Sequence, residues 1–325
     1  MHFEEFDISK LSPGKKATGW LEVASRADGG SWRLPLLYVK GAAAGPTLAV
    51  TAAVHGNEYE GVEAVPRIFD QVHPDTLKGT LVMIAVCNMP AYEAGIRSSP
   101  IDVLNLARVF PGDAEGTITQ RIAYWLTHRI IQPADCFIDF HSGNEDSDIP
   151  TLVGYLHSED PLGKQAQAAA KAFGAPVLWG HPPPVPPGRS VSAATSFGIP
   201  WLYTETPGGG RSTPEDVTCY VEGALNVMKH LEMLPGEPQP LPTAHHLIGD
   251  GNLDLVISAP AAGFFKPEVV LLEEVKAGQR LGTIRDFFGQ TKVEVMTQRD
   301  GKVVLLRKRP RVQVGVGLAQ VTGTL

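Results

Sequence analysis

Short apolar runs alternate with amphipathic segments through most of the chain. Runs typical of buried strands occupy residues 47–54, 81–87, 136–140, 176–179 and 201–204. A helical period covers residues 61–72, 118–131, 161–173 and 214–231. This alternation predicts an α/β domain with a largely parallel or mixed sheet. The first forty residues add a predicted β-hairpin, with Asp28, Gly29 and Gly30 at its turn.

The pattern changes after a proline-rich stretch at residues 234–247. Its four prolines fit neither a helix nor a central strand, and they predict a semi-rigid linker. Beyond it no helical period occurs, and two similar strand–turn–strand units follow at residues 259–284 and 297–321. Such a repeat predicts a small module built by duplication. We therefore expect a catalytic domain at residues 1–240 and an all-β module at residues 248–325.

The C-terminal module resembles the barrel-sandwich fold of biotinyl and lipoyl carrier domains. Those domains carry a modified lysine at the tip of a hairpin. The corresponding turn, residues 297–300, has no lysine. We therefore do not expect a carrier function.

Charge and composition exclude several classes of function. The formal net charge is −7 and no long run of Lys or Arg occurs, which argues against nucleic-acid and anionic-membrane partners. The densest basic stretch, residues 307–311, is expected to be a solvated strand edge. Residues 1–6 lack the order of a signal peptide, and no apolar segment reaches the length of a membrane span. We expect a soluble, cytoplasmic protein; its oligomeric state stays open, a homo-oligomer included.

The sharpest chemical signal is a histidine followed three residues later by a glutamate. His55 and Glu58 come directly after the apolar run 47–54, and His141 directly follows the run 136–140. Ligands of open α/β sheets bind at the carboxyl ends of strands, and catalytic zinc commonly takes two histidines and one glutamate. Gly56 gives the chain freedom to turn between the first two ligands. The pattern predicts one zinc ion held by His55, Glu58 and His141.

Two carboxylates complete the predicted chemistry. Asp139 lies two residues before His141, where it can accept the second imidazole N–H. Glu205 closes a third apolar run, and a carboxylate buried near a cation can take a proton from metal-activated water and pass it to a leaving nitrogen. Glu205 is therefore the predicted general base. Glu60, beside the first motif, is expected to face solvent or to cap the next helix.

Together these segments resemble the succinylglutamate desuccinylase/aspartoacylase family. The resemblance rests on His-x-x-Glu after one strand, Asp-x-His after another, and a late glutamate before Pro-Gly-Gly; it spans roughly residues 15–325. It implies a mixed sheet sandwiched by helices, as in zinc carboxypeptidases. It also implies one Zn²⁺ per chain and hydrolysis of the amide bond of an N-acyl amino acid. In that scheme His55, Glu58 and His141 bind zinc and Glu205 is the general base.

The resemblance also implies a substrate-binding segment. Arg108 matches a family arginine that grips a carboxylate, for which its planar guanidinium is suited. Ala107 stands where the family has asparagine, and Asn105 is our candidate to replace it. Arg97 is our candidate for stabilising the tetrahedral oxyanion. The proline-rich run 181–189 is either a wall of the active site or a rigid connector.

Two other functions stay open at this stage. A metallocarboxypeptidase would use the same zinc, water and glutamate to remove a C-terminal residue. A non-catalytic binding protein would keep the fold as a scaffold. The family resemblance and the appended β module favour a deacylase, although the sequence does not identify the acyl group or the amino acid.

Overall fold

A computed structural model of the chain describes residues 2–3, 6–252 and 256–325. Met1, Glu4 and Glu5 of the acidic N-terminal segment lie outside these residues. The helices are α1 (Glu60–Gln71), α2 (Met89–Ala94), α3 (Ile118–Leu126), α4 (Pro161–Phe173), α5 (Ser190–Ser196) and α6 (Pro214–His230), with short 3₁₀ helices at Ile8–Lys10 and Leu106–Arg108 and a π-helical turn at Thr127–Ile131. Among the described residues, every helix is too short or too polar to cross a bilayer.

A large mixed sheet forms the centre of the molecule. Its strands before the linker are β1 (His2–Phe3), β2 (Lys15–Ser25), β3 (Ser31–Lys40), β4 (Ala43–Ala52), β5 (Lys78–Ile84), β6 (Cys136–Phe140), β7 (Ser147–Asp148), β8 (Leu152–Leu156), β9 (Val177–His181) and β10 (Trp201–Glu205). The central order is β2-β3-β5-β4-β6-β10-β8-β9. Strands β4, β6 and β10 are parallel neighbours, whereas β8 runs antiparallel to β10. The predicted α/β architecture with a mixed sheet is confirmed.

Helices cover both faces of this sheet. Asp139 of β6 accepts a hydrogen bond from Ser190 at the start of α5. Its neighbour Phe140 stacks on Tyr220 of α6, with ring centroids 4.8 Å apart. Successive side chains of a strand point to opposite faces, so α5 and α6 lie on opposite sides of β6. Strand β6 is buried along its whole length, as a strand covered on both faces must be.

Local patterns predicted several elements closely. The predicted strand 136–140 and the predicted helix 161–173 coincide with β6 and α4. The N-terminal hairpin joins β2 to β3, and Asp28 accepts a hydrogen bond from Gly30 in its turn at 3.0 Å. The predicted helix 118–131 is divided, since its last five residues widen into the π-helical turn.

The C-terminal residues form the predicted β module. Its strands are β11 (His245–Ile248), β12 (Ile257–Ser258), β13 (Gly263–Pro267), β14 (Glu274–Val275), β15 (Arg280–Arg285), β16 (Thr291–Met296), β17 (Gly301–Arg307), β18 (Arg311–Val312) and β19 (Gly317–Thr324). In one half β13 pairs with β15 and with β18; in the other β17 pairs with β19 and with β14. The short strand β18 belongs to the second repeat but pairs with β13 of the first, and β14 belongs to the first repeat but pairs with β17 of the second. This exchange is the pairing that a duplication gives.

The linker prediction is only partly right. The last residues of the stretch 234–247 belong to β11, which pairs in parallel with β9 and antiparallel with β19. The main sheet therefore runs on into the C-terminal module instead of stopping at the predicted semi-rigid linker. The division into domains at residues 240 and 248 stays a prediction.

The expectation of a solvated strand edge at residues 307–311 is only partly right, because residues 308–311 are exposed but Arg307 is not. Leu306 and Arg307, at the end of β17, pair with Asp148 and Ser147 of β7, and Arg307 is buried. Carboxylates in and before β7 attract this end of the strand, because they supply opposite charge at close range. The stretch is therefore an internal contact between the module and the catalytic domain.

Candidate metal centre and active-site cleft

Three neighbouring strands bring the predicted metal ligands and the predicted base to one edge of the sheet. Strands β4, β6 and β10 are parallel, so their carboxyl ends lie together. His55 follows β4 after a two-residue turn, His141 directly follows β6, and Glu205 is the last residue of β10. The strand order thus explains how residues from distant parts of the chain meet.

The donor atoms of His55, Glu58 and His141 all lie within 4.8 Å of one another. The Nδ1 atom of His55 is 2.7 Å from Oε1 of Glu58, and the Nδ1 atom of His141 is 3.0 Å from Oε2 of Glu58. Both imidazoles therefore present the same nitrogen to one carboxylate. Two imidazoles and one carboxylate form a donor set that suits catalytic zinc and leaves a position open.

The remaining imidazole nitrogens are held by oxygen acceptors. Nε2 of His55 lies 3.1 Å from Oδ1 of Asn105, and Nε2 of His141 lies 3.1 Å from Oδ2 of Asp139. The Asn105 oxygen is identified by Ala107, whose backbone N–H donates to it at 2.9 Å. Since these oxygens can only accept, each Nε2 must donate. Each neutral ring then keeps its Nδ1 lone pair for a cation, which is how outer partners prepare histidine ligands.

Asp139 is anchored more firmly than the sequence alone suggests. It is fully buried and accepts a hydrogen bond from the Thr51 hydroxyl at 2.7 Å, as well as one from Ser190. Thr51 lies opposite Asp139 in the pairing of β4 with β6. A fully buried carboxylate needs this degree of hydrogen bonding, and its rigidity fixes the orientation of His141.

Charge in the cluster also favours a cation. Burial raises the pKa of Glu58, but the two histidines outweigh burial and hold that pKa below its usual range. Burial lowers the pKa of His55 to about 4, and the Arg97 guanidinium contributes to that decrease. Burial also lowers the pKa of His141, but the Asp139 and Glu58 carboxylates outweigh it and raise that pKa well above its usual range. The Glu58 carboxylate is thus ionised inside the protein, and the cluster around it attracts positive charge.

Close packing, rather than a special backbone angle, explains Gly56. A Cβ atom at this position would lie 2.1 Å from the backbone of Ala91 in α2. The chain turns at Gly56 and Asn57, where the backbone N–H of Glu58 donates to the His55 carbonyl at 3.3 Å. Gly56 therefore lies in the expected turn, and its missing side chain lets the His55–Glu58 segment lie against α2.

Glu205 lies beside this cluster with its carboxyl in a desolvated position. Burial, together with the negative charge of Glu58, raises its pKa to about 8. A bound cation will lower that pKa, because opposite charge favours the ionised form. The carboxyl group is thus placed to exchange protons near neutral pH, as a general base must.

Glu60 does not face solvent as the sequence suggested. Glu60 is 1% exposed, with the Ser142 hydroxyl and its own backbone N–H beside its carboxyl group. Burial raises its pKa, and its charge contributes to the raised pKa of Glu205. The helix α1 begins at this residue, so sequence reasoning assigned it to a cap.

The predicted substrate residues take different positions. Arg108 lines the cleft that also contains His55, His141 and Glu205, and one of its nitrogens donates to the Ala107 carbonyl at 3.0 Å. Arg97 contacts the metal cluster directly, since its Nη1 lies 3.4 Å from Oε1 of Glu58. The side-chain contacts shown for Asn105 are with His55 and Ala107, so they support an orienting function for Asn105. Its substrate-binding function stays a prediction.

The opposite part of the cleft confirms one of the two interpretations of the run 181–189 and adds residues that sequence reasoning missed. The run 181–189 is a wall of the cleft, to which it contributes His181 and Arg189 among others, and Tyr203 and Asp250 lie there as well. His181 donates from Nδ1 to the Gly249 carbonyl at 2.8 Å and accepts at Nε2 from the Tyr203 hydroxyl at 2.8 Å. Histidine before a run of prolines was the available signal. Its partners come from β10 and from the segment after β11, which no local pattern connects.

His181 gives a prediction for stability against pH. Burial lowers its pKa to about 4, below the value of about 6.5 in an unfolded chain. Between those values the unfolded chain binds a proton that the folded chain does not, so stability falls as pH decreases from 6.5 to 4. We expect His181→Gln to be less stable than wild type at pH 7, and this difference to shrink by about 2 kcal/mol at pH 5. Urea unfolding of both proteins at the two pH values measures it; a difference independent of pH contradicts the assignment.

Comparisons with known proteins identify the family of the chain. A model of the succinylglutamate desuccinylase/aspartoacylase catalytic domain matches residues 44–231. An N-alpha-acetyl-L-2,4-diaminobutyric acid deacetylase from Halomonas elongata is 29% identical over 309 residues, which cover 93% of this chain and 90% of the relative.

Solved structures agree over almost the whole chain. The succinylglutamate desuccinylase/aspartoacylase of Rhodobacter sphaeroides is 30% identical with a TM-score of 0.86, and the alignment covers 97% of this chain and 98% of that one. The product-bound ectoine utilization protein EutE (DoeB) of Ruegeria pomeroyi is 31% identical with a TM-score of 0.87, at the same coverage. Because the family model matches more than half of the sequence, the chain belongs to the succinylglutamate desuccinylase/aspartoacylase family.

Proposed function

We propose that this protein is a cytoplasmic, zinc-dependent deacylase that hydrolyses the amide bond of an N-acyl amino acid. The observation that carries the proposal is the convergence of His55, Glu58 and His141 within 4.8 Å, in a cleft that also contains Glu205 and Arg108. The membership of a family of deacylases supports the reaction class.

The three ligands would hold one zinc ion, which when bound polarises a carbonyl group and lowers the pKa of a water molecule. Glu205 would take a proton from the attacking water and pass it to the leaving nitrogen. Arg97, at the edge of the cluster, would stabilise negative charge on the tetrahedral oxygen. The guanidinium of Arg108 would bind the substrate carboxylate through two parallel hydrogen bonds. The products would be a carboxylic acid and a free amino acid.

A panel of blocked amino acids and peptides tests this function. The zinc-loaded protein is expected to release acetate or succinate from N-acyl amino acids and to leave N-blocked dipeptides intact. Cleavage of only the dipeptides would identify a carboxypeptidase. A protein that binds zinc but cleaves neither class would be a scaffold.

The first substrate for this panel is an N-acetylated diamino acid. The Halomonas elongata relative is named for N-alpha-acetyl-L-2,4-diaminobutyric acid. A diamino acid carries a free amine as well as a carboxylate, and the cleft contains the cationic Arg108 and Arg189 together with the anionic Asp250. We propose that Asp250 binds the free amine of the substrate.

Asp250→Asn should therefore weaken selection for the amine. We expect kcat/KM for Nα-acetyl-2,4-diaminobutyrate to fall roughly fivefold, the limit for a solvent-accessible ion pair. Hydrolysis of N-acetyl-2-aminobutyrate, which lacks the amine, should be unchanged. Asp75→Asn is the control. Asp75 is exposed and precedes the amino end of β5, whereas the cleft lies at the carboxyl ends of the strands. Equal losses for the two substrates would exclude this function of Asp250.

A further inference from the structure

The C-terminal module contacts the segment that directly follows His141. After His141, Ser142 and Gly143 the chain enters an acidic loop, defined here as residues 144–148. Asn144 fixes the start of this loop, because its side-chain oxygen accepts from the backbone N–H groups of Asp146 and Ser147 at 2.8 and 3.1 Å. The loop ends in β7, which pairs with β17 of the module.

The contact is complementary in charge. Lys308 lies 2.9 Å from the Asp148 carboxylate, and Arg309 lies 3.0 Å from the carboxylates of both Glu145 and Asp146. The backbone adds to these ion pairs, since the N–H groups of Lys308 and Arg309 donate to the Asp146 carbonyl at 2.9 and 3.2 Å. Ion pairs that form a network with backbone hydrogen bonds hold a loop better than isolated surface pairs.

The acidic loop is joined to the metal centre through two residues. The backbone N–H of Ser142 donates to Oε2 of Glu58 at 3.3 Å. Gly143 binds the loop after Glu205: its N–H donates to the Thr206 carbonyl at 2.8 Å, and its carbonyl accepts from Gly209 at 2.9 Å. A Cβ atom on Gly208 would lie 1.9 Å from the Gly143 oxygen, so these two loops touch without room for adjustment. A shift of the acidic loop would therefore be transmitted to both His141 and Glu205.

We propose that Lys308 and Arg309 of the C-terminal module are positioning residues for the metal centre. By holding the acidic loop, they keep the His141–Gly143 segment in the position that Glu58 and Glu205 require. The module is then part of the catalytic unit instead of a separate assembly domain. The kinetic part of this inference rests on the proposed function; the part that concerns metal retention does not.

A charge swap tests the proposal. Lys308→Glu and Asp148→Lys each break the pair and should speed the removal of zinc by a chelating dye about fivefold, and should lower kcat to a similar degree, the limit for a solvent-accessible ion pair. The double variant restores the pair with reversed charge and should recover both quantities to within about threefold. Lys308→Met and Asp148→Asn repeat the test without charge reversal. Thermal unfolding, expected to change little, separates positioning from a loss of folding.

The matched control lies elsewhere in the same module. Arg280 lies 2.8 Å from Glu268, an ion pair as close as that of Lys308 but remote from the acidic loop. Arg280→Glu should leave zinc release and kcat unchanged. Single Lys308 and Asp148 variants that keep wild-type zinc release overturn the proposal, and so does a loss that the double variant does not restore. If wild type retains zinc but hydrolyses no N-acyl amino acid, the proposed function fails while zinc release still decides this inference.

Discussion

Glu205→Gln is expected to lower kcat for N-acyl amino acid hydrolysis by about two to four orders of magnitude, the usual contribution of a general base. The amide keeps the size of the side chain but cannot take a proton from water. Glu205 is not one of the three clustered donors, so zinc content should stay at one ion per chain. Steady-state kinetics together with metal analysis of the same preparation measure both effects.

Glu215→Gln is the control for this variant. Glu215 is an exposed acid in the first turn of α6, ten residues further along the chain. Its variant should retain wild-type kinetics. If Glu205→Gln keeps most of the wild-type kcat, then Glu205 is not the base.

Glu58→Gln is expected to abolish metal retention, and activity with it. The Glu58 carboxylate is buried between His55 and His141, and it is the only anion among the three donors. A neutral amide removes the charge that offsets a dication, so the loss of zinc affinity should exceed the roughly 10- to 100-fold effect of removing an outer partner. Competition with a chelator measures the affinity.

Glu63→Gln serves as the counterpart. Glu63 lies five residues further along the chain, in α1; its side chain is half-exposed and forms an ion pair with Arg67. This variant should bind zinc as wild type does. A Glu58→Gln protein that holds zinc with wild-type affinity would show that the ion binds elsewhere.

The elements that sequence analysis predicted well are those with a strong local signal. Strand β6 is an apolar run interrupted only by Asp139, and α4 has Asp160 as its cap, proline in its first turn and glycine at its end. Strand β8 was not predicted as a strand, because Gly154 lies at its centre and glycine is unfavourable there. That glycine is required by tertiary packing: a Cβ atom would lie 1.9 Å from the Tyr203 ring.

In the site too, local sequence signals were predictable and tertiary contacts were not. His55, Glu58, His141 and Glu205 each end or closely follow an apolar run, so their positions relative to strands were predictable. Their convergence depends on β4, β6 and β10 being neighbours, which no single segment encodes. The contact of Asn105 with His55, the partners of His181 and the burial of Glu60 were not predictable for the same reason.

The internal repeat predicted the fold of the C-terminal module but not its contact with the rest of the chain. The weak internal similarity predicted a duplicated β module, and the exchanged short strands β14 and β18 agree with it. Composition alone predicted that the basic stretch 307–311 is exposed to solvent and indicated no partner for it within the chain. The acidic loop that it contacts lies about 160 residues earlier in the chain, so the pair becomes visible only in the fold.

Anomalous diffraction at the zinc edge, from crystals grown with zinc, would test the central claim most directly. One strong peak per chain is expected, bonded to Nδ1 of His55, Nδ1 of His141 and the Glu58 carboxylate. A peak bound to other residues, with these three donors bonded only to one another, would contradict it.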